Sequence, residues 1–177
     1  MTHLRMMHVD DMFTFNNVNF DSYTETYRVS FYHNYIARWP GMCQIAQAVN
    51  GSIQGYMIGK SEDLSGGADL PHSLRGHVSA VTVDPRYRRN GVASQLMDNF
   101  EAVSEKQYKG YFIDLFVRAS NKTAIEFYKR RGYIVYREVA NYYGDEDAYD
   151  MRKATALDRE KETLTPKATR IAPNEYD

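Results

Sequence analysis

The sequence predicts an α+β fold, one mixed twisted sheet of about seven strands flanked by helices, and three observations predict it. Cys43–Val49 and Ser52–Ile58 are two apolar, β-branched runs joined by Asn50-Gly51, the pair a type I′ hairpin turn asks for. His77–Val83 reads as a strand that feeds, through a basic loop, the helical periodicity of Gly91–Val103. The element order is strand, two helices, hairpin, strand, helix, strand, helix, strand, strand, which forms a sheet with helices on its faces.

Taken in order, His3–His8 alternates as a first strand, and Asp10-Asp11 stands where an N-cap belongs, ahead of Met12, Phe13 and Phe15. Thr24–Trp39 carries Tyr27, Phe31, Tyr35 and Trp39 at spacings of four, the apolar stripe of a second helix that stops at Pro40. Ser22–Tyr27 leads into it as a connecting loop, from which Glu25 and Tyr27 could both point into a shared groove. Beyond the hairpin, Ser61–Gly76 is rich in Ser, Gly, Asp and Pro and reads as an exposed loop. Tyr111–Arg118 is a strand whose large residues call for burial on at least one face. Ser120 or Asn121 caps a third helix, Lys122–Arg131, and Gly132 ends it. Tyr133–Tyr143 and Asp147–Lys153 are the last strands. A domain over residues 1–153 is therefore expected, with residues 154–177 a charged tail too poor in apolar residues to stay ordered alone.

Composition narrows the function. A chain of 177 residues with 43% hydrophobic content suits one domain with a full core. Its formal net charge of −1 gives no global attraction to nucleic acid or to an anionic membrane. The single cysteine, Cys43, excludes an internal disulfide and a cysteine-built zinc site, and it reads as a small buried apolar residue. No run of eighteen apolar residues occurs and the N-terminus lacks a signal-like apolar stretch, so a soluble cytoplasmic protein is expected. Fifteen tyrosines suit a groove or interface where apolar surface meets a polar ligand.

The most specific stretch joins Val81-Thr82-Val83-Asp84-Pro85 to the helix that starts at Gly91. A helix N-terminus leaves backbone N–H groups unpaired, with the positive end of the helix dipole behind them. Gly91 lets an anion reach that backbone without a Cβ in the way, Ala93 keeps the next position small, and Arg86, Arg88 and Arg89 attract a polyanion. A lone glycine would be an ordinary β-to-α connection. The spacing Arg88-x-x-Gly91-x-Ala93 is more specific, and it resembles the acyl-coenzyme-A pyrophosphate loop of the GCN5-related N-acetyltransferase superfamily. Neither G-x-x-x-x-G-K-[ST] nor G-x-G-x-x-G occurs in the chain, which speaks against the common nucleotide loops.

A second constellation is Asn121 with Tyr128, seven residues apart and so on one helix face. Alone, Tyr128 would be a packing residue. Its setting, S-N-K-T-A-I-E-F-Y-K-R-R-G-Y after L-F-V-R, is what marks it. That run resembles the catalytic subunits of NatB protein N-terminal acetyltransferases, as do YTETY, WPGMCQIAQ, GHVSAVTVDPRYRRNGVA, NYYGDEDAYDMRK and the opening THLRMMHVDDMFTFNN.

The resemblance implies an acetyltransferase fold and transfer of acetyl from acetyl-CoA to the α-amine of proteins beginning Met-Asp, Met-Glu, Met-Asn or Met-Gln, with no metal. It also implies a large helical-repeat auxiliary subunit that carries the enzyme to the ribosome and its nascent N-termini, with no direct nucleic-acid or membrane binding. By motif, Val81, Val83, Arg88, Arg89, Asn90, Gly91, Val92 and Ala93 would bind the cofactor, with Asn121 and Tyr128 beside the thioester. Glu25 and Tyr27 would hold the peptide N-terminus, His77 would lie below the second peptide residue, and Tyr142 and Tyr143 would sit on a loop that closes over the peptide. The residues resembling catalytic ones are Tyr128, Asn121 and His77.

Magnitudes bear on those roles. A phenol near pKa 10 facing a thiol near 8.5 makes full proton transfer unfavourable by roughly 2 kcal/mol, so Tyr128 suits a hydrogen bond to the developing thiolate. An α-amine with a pKa near 8 is already roughly a tenth neutral at pH 7, so no strongly perturbed base is required. Recognition of a second-position acid or amide suits His77 better than the role of base, which a water held by Glu25 and the tyrosines could equally fill. Two rival readings stay open: an acetyl-CoA-dependent transferase acting on lysines or small amines, and a non-catalytic acyl-CoA-binding subunit.

Overall fold

The structure, a computed structural model, describes residues 1–19, 23–65, 73–166 and 168–173, with the backbone alone at residues 16 and 17. They form two compact units, residues 1–60 with 78–107 and residues 61–77 with 108–177.

In the first unit β1 (Thr2–Met6) pairs antiparallel with β2 (Cys43–Ala48), Thr2 facing Ala48 and Met6 facing Gln44. A 3₁₀ turn, Val9–Phe13, stands where a helix capped by Asp10-Asp11 was expected. Asp11 lies inside that turn: it accepts the His8 N–H at 2.8 Å and both ends of the Arg5 guanidinium at 2.7 and 2.8 Å. The cap therefore moves back to His8, three residues before the carboxylate that satisfies it.

Helix α1 spans Val29–Arg38, starting five residues after the expected Thr24. The residues before it are held by β4 (Leu74–Val83): Thr24 shares a hydroxyl–hydroxyl bond with Thr82 at 3.0 Å, and Tyr27 donates its O–H to the Ser79 carbonyl at 3.2 Å. Tyr27 still belongs to the aromatic stripe, stacked on Phe31 at 4.0 Å, with Tyr35 at 4.2 Å from Phe31 and Trp39 at 5.3 Å from Tyr35. Of that stripe Tyr35 is buried in the core with Ile45, Tyr56 and Ile58, and Tyr27, Phe31 and Trp39 pack half-buried against it.

The Asn50-Gly51 hairpin forms between β2 and β3 (Ile53–Asp63), but its turn is not type I′. Gly51 has φ +87° while Asn50 is not in the left-handed region, and Gly51 N–H donates to Ala48 O at 2.9 Å. The loop is thus the three residues 49–51, a turn closed by a left-handed glycine, with the register shift between Ala46 and Gln47 absorbing the odd residue. Helix α2 (Val92–Lys106) buries Val92, Leu96, Met97 and Phe100.

The expected loop over Ser61–Gly76 is a correction: β3 runs on to Asp63 and β4 starts at Leu74, closed by Leu64 N–H to Ser73 O at 3.1 Å. Residues 66–72 of that stretch lie outside the described residues.

In the second unit β5 (Phe112–Arg118) pairs antiparallel with β7 (Ala148–Ala154), Asp114 facing Arg152 and Phe116 facing Asp150. Helix α3 is Lys122–Arg130, and β6 (Ile134–Val139) pairs with β7 around a bulge between Val135 and Arg137. The strand expected over Tyr133–Tyr143 stops at Val139, because Asn141 and Gly144 adopt left-handed backbone and turn the chain. The C-terminal stretch expected to be disordered instead carries a 3₁₀ turn, Glu162–Leu164, and a short β8 (Arg170–Ile171) parallel to β6. Asp158, itself buried, anchors it by accepting the N–H groups of Glu162 and Thr163.

The strand order reads β1-β2-β3-β4-β5-β7-β6-β8 in an eight-stranded sheet. The α+β expectation holds, with β8 as the additional strand.

Candidate functional site

The loop expected to take an anion lies wholly in the first unit. β4 ends at Val83, and Asp84, only 1% exposed, caps the Pro85–Tyr87 turn by accepting Arg86 N–H at 2.9 Å. Arg86 also turns its guanidinium back onto Asp84, at 2.6 Å from Nη2, and holds that carboxyl below the usual carboxylate range. Arg86 stays exposed while held on Asp84. Arg88 donates from Nε to the Val83 carbonyl at 3.2 Å, while Arg88, Arg89 and Asn90 are exposed.

Arg89 and Gly91 are both left-handed, φ +64° and +76°, and this double turn delivers the chain to Val92 as the first residue of α2. No side chain caps α2, so its first-turn N–H groups have no intrahelical or side-chain acceptor. A Cβ built on Gly91 would meet nothing within 4 Å, leaving open room for an anion. Val92 is buried, with Val81, Val83 and Ala93 half-buried. Gly55 of β3 has the opposite environment, since a Cβ there would lie 2.6 Å from the Thr82 carbonyl, so the two strands approach closely beside Val81 and Val83.

Also in this unit, Glu25 is exposed on the segment before α1 and Tyr27 is half-buried. Cys43 is buried, as a small apolar residue would be, and burial pushes its thiol up to about 12.

The second unit holds His77, which the sequence singled out, together with two residues it did not. Asp114, fully buried on β5, takes His77 Nδ1 at 2.8 Å on one oxygen and Arg75 Nη1 at 2.6 Å on the other. Arg75 in turn donates to Glu62 at 2.8 and 3.2 Å. Burial alone would raise the Asp114 pKa; His77 and Arg75 outweigh it and bring the carboxyl down to about 2. Arg75 was hidden in a stretch that read as loop. Asp114 had a visible signal, a carboxylate in the middle of the apolar strand F-I-D-L-F, where only a paired charge is tolerated.

Aromatic rings continue from His77: Phe116 lies 5.7 Å from it and stacks on Tyr142 at 4.6 Å, with Tyr143 edge-on to Tyr142 at 5.0 Å. Tyr142 and Tyr143 stand on the turn after β6, where Tyr143 donates to the Phe116 carbonyl at 3.3 Å and lies under the Arg118 guanidinium at 4.1 Å. The structure thus brings together His77, Tyr142 and Tyr143 through Phe116, which sequence reasoning did not name.

Asn121 and Tyr128 stand at the two ends of α3. The Asn121 side chain accepts Ala124 N–H at 3.1 Å as the helix cap. Tyr128 is 7% exposed, packed edge-on against Phe127 and Tyr133, and burial raises its pKa so that the phenol stays protonated. Among the described residues no cluster of three His, Cys, Asp or Glu side chains is placed to hold a metal ion, and no helix is long and apolar enough to cross a membrane.

Residues 9–133 match the acetyltransferase (GNAT) family. The chain is 49% identical to N-alpha-acetyltransferase 20 of Dictyostelium discoideum over 100% of this chain and 99% of that one. It is 45% identical, over the same shares, to the N-terminal acetyltransferase B complex catalytic subunit NAA20 of Arabidopsis thaliana. Among solved structures it resembles Chaetomium thermophilum Naa20 in complex with a bisubstrate analogue, with a TM-score of 0.87 and 38% identity over 97% of both chains. It also resembles a chain of the NatB acetyltransferase complex bound to CoA and MES, with a TM-score of 0.76 and 36% identity over 86% of this chain and 98% of that one.

Proposed function

We infer the chemistry from one premise: the chain belongs to the acetyltransferase (GNAT) family and, within it, to the NatB catalytic subunits, and it is an acetyl-CoA-dependent N-α-acetyltransferase. The observation that carries this is the likeness over the full chain to N-α-acetyltransferases, at 49% and 45% identity. The finer reading is that it acetylates proteins beginning Met-Asp, Met-Glu, Met-Asn or Met-Gln in the cytoplasm. A helical-repeat auxiliary subunit of the NatB complex brings it to ribosomes and emerging N-termini.

The uncapped α2 N-terminus, with Gly91, Val92 and Ala93, receives the cofactor pyrophosphate, and exposed Arg88, Arg89 and Asn90 add charge and donors. The edge of β4 at Val81 and Val83 lines the pantetheine arm. Glu25 and Tyr27 hold the peptide N-terminus, and Tyr142 and Tyr143 cover the peptide from their turn. His77 reads the second residue.

In the reaction the neutral α-amine attacks the thioester carbonyl carbon; the C–N bond forms, the C–S bond breaks, and coenzyme A leaves as its thiolate. The amine nitrogen loses one proton to water or a nearby acceptor, and the thiolate ends as the thiol. The protonated Tyr128 hydroxyl supports the leaving sulfur by hydrogen bonding, and Asn121 fixes the start of the helix that carries it.

Initial rates with acetyl-CoA test this on peptides starting Met-Asp, Met-Glu, Met-Asn, Met-Leu and Ser-Glu, plus an α-blocked lysine peptide, with the chain alone and with its auxiliary subunit. Preference for the first three is expected. Activity only on the lysine peptide, or none even in the complex, would overturn the specificity claim.

A further inference from the structure

His77 and Asp114 carry a consequence for how one histidine reads two chemically different side chains. Asp114 is fully buried, and its two oxygens are taken by Arg75 Nη1 at 2.6 Å and His77 Nδ1 at 2.8 Å. The Asp114 carboxyl stays ionised down to about pH 2 despite its burial, because His77 and Arg75 face it. An ionised carboxylate only accepts, so the bond can be made one way: His77 Nδ1–H donates to Asp114 Oδ1. The neutral ring then carries a bare lone pair on Nε2.

We propose that Asp114, clamped by Arg75, is a positioning residue that keeps His77 in the Nδ1–H form, so that the site accepts an acidic second residue only when Nε2 is also protonated, and an amide second residue in either state. The inference rests on the reading of His77 as the reader of the second residue. An Asn or Gln side chain offers a donor to the bare Nε2 and an acceptor to Nε2–H; an Asp or Glu carboxylate offers acceptors alone.

The charged groups around His77 in this unit are Arg75 on its own strand, Glu62 on β3, Asp114 on β5, Asp150 and Arg152 on β7, and Arg137 of β6, bonded to Asp150 at 2.9 Å. Three guanidiniums face three carboxylates. The imidazole is therefore the group of this set whose ordinary pKa lies between pH 5 and 8.

The test is the ratio of kcat/KM for Met-Asp to that for Met-Asn peptides, measured across pH 5.5 to 8.5 with the full chain in its complex. Both peptides begin with Met, so titration of the α-amine and of the cofactor divides out. The ratio is expected to fall about tenfold per pH unit above the imidazole titration, the slope of one linked proton. In Asp114→Asn, Arg75, which can only donate, holds the amide oxygen and turns the NH₂ towards Nδ1. That forces the Nε2–H tautomer, and the ratio is expected to become flat. On the wild-type protein, ¹⁵N NMR of the His77 ring at high pH reads the tautomer directly and needs no variant to fold; protonated Nδ1 and bare Nε2 are expected.

A flat wild-type ratio, or a neutral ring protonated on Nε2, overturns the inference while leaving the acetyltransferase reading intact. Turnover of neither peptide overturns both.

Discussion

Arg75 donates from Nη1 to Asp114 Oδ2 at 2.6 Å, with side-chain exposures of 5% and 0%. A pair this deep contributes through what its loss would leave behind, an uncompensated buried charge. Arg75→Met is expected to cost about 3–5 kcal/mol, read as a lower urea midpoint at unchanged slope. The acid limb gives a second check. The Asp114 pKa is lowered, from 3.8 to about 2, so its contribution is fully present above about pH 4 and lost as pH falls through about 2. That loss is about 2 kcal/mol in the wild type and should be much shallower in Arg75→Met. Asp150 has the opposite sign, its pKa raised by burial and by Asp114 despite Arg152 and Arg137, so of these two carboxylates Asp150 is protonated before Asp114 on acidification.

Gly91 sits at φ +76° with open space where a Cβ would be. Gly91→Ala meets no packing clash, so its cost to stability is the left-handed backbone alone, about 1–2 kcal/mol. Its larger effect falls on the cofactor, whose phosphate would meet the new methyl. The KM for acetyl-CoA is expected to rise about tenfold or more with a small loss in thermal midpoint. A change in midpoint without a change in KM would remove the α2 N-terminus from the cofactor site.

Arg86 and Arg88 are two residues apart yet face different partners. Arg86 is bonded to Asp84 through its guanidinium and its backbone N–H. Arg86→Ala keeps the backbone bond, and its effect on the KM for acetyl-CoA is expected to stay within about twofold. Arg88→Ala removes an exposed charge beside the loop and is expected to raise that KM about tenfold, the scale of one charge-assisted hydrogen bond. Equal effects in steady-state titrations of acetyl-CoA would contradict the division.

What the sequence displayed of this fold was local chemistry. The hairpin, the helix start at Gly91 and the Asn121 cap each depend on residues within a few positions. What it hid was set by distant partners. The entry to α1 is held away from helix by Thr82 and Ser79, more than fifty residues on. The two ends of the polar stretch, residues 61–63 and 74–76, are strand because Glu62, Arg75 and Asp114 pair across three strands, which composition cannot show. The described part of the C-terminal stretch is held through Asp158, and through Arg170 to Glu138 and Asp147, contacts between segments with little apolar content of their own. Of the candidate site, the loop proposed to take the cofactor was legible as a motif; the partners of His77 were not.

Tyr128 separates two explanations of a buried phenol. Its ring packs against Phe127 and Tyr133, which phenylalanine would preserve, and burial keeps its hydroxyl protonated across the working range. Tyr128→Phe keeps these ring contacts and removes no hydrogen bond made within the described residues, so stability should change by less than about 1 kcal/mol. If the hydroxyl supports charge on the departing sulfur, that support exists only in the transition state, so kcat should fall about a hundredfold while the KM for acetyl-CoA stays put. Because the phenol does not ionise in the working range, the pH dependence of the remaining rate should match the wild type. An unchanged kcat would make Tyr128 a packing residue and move stabilisation of the thiolate to another donor.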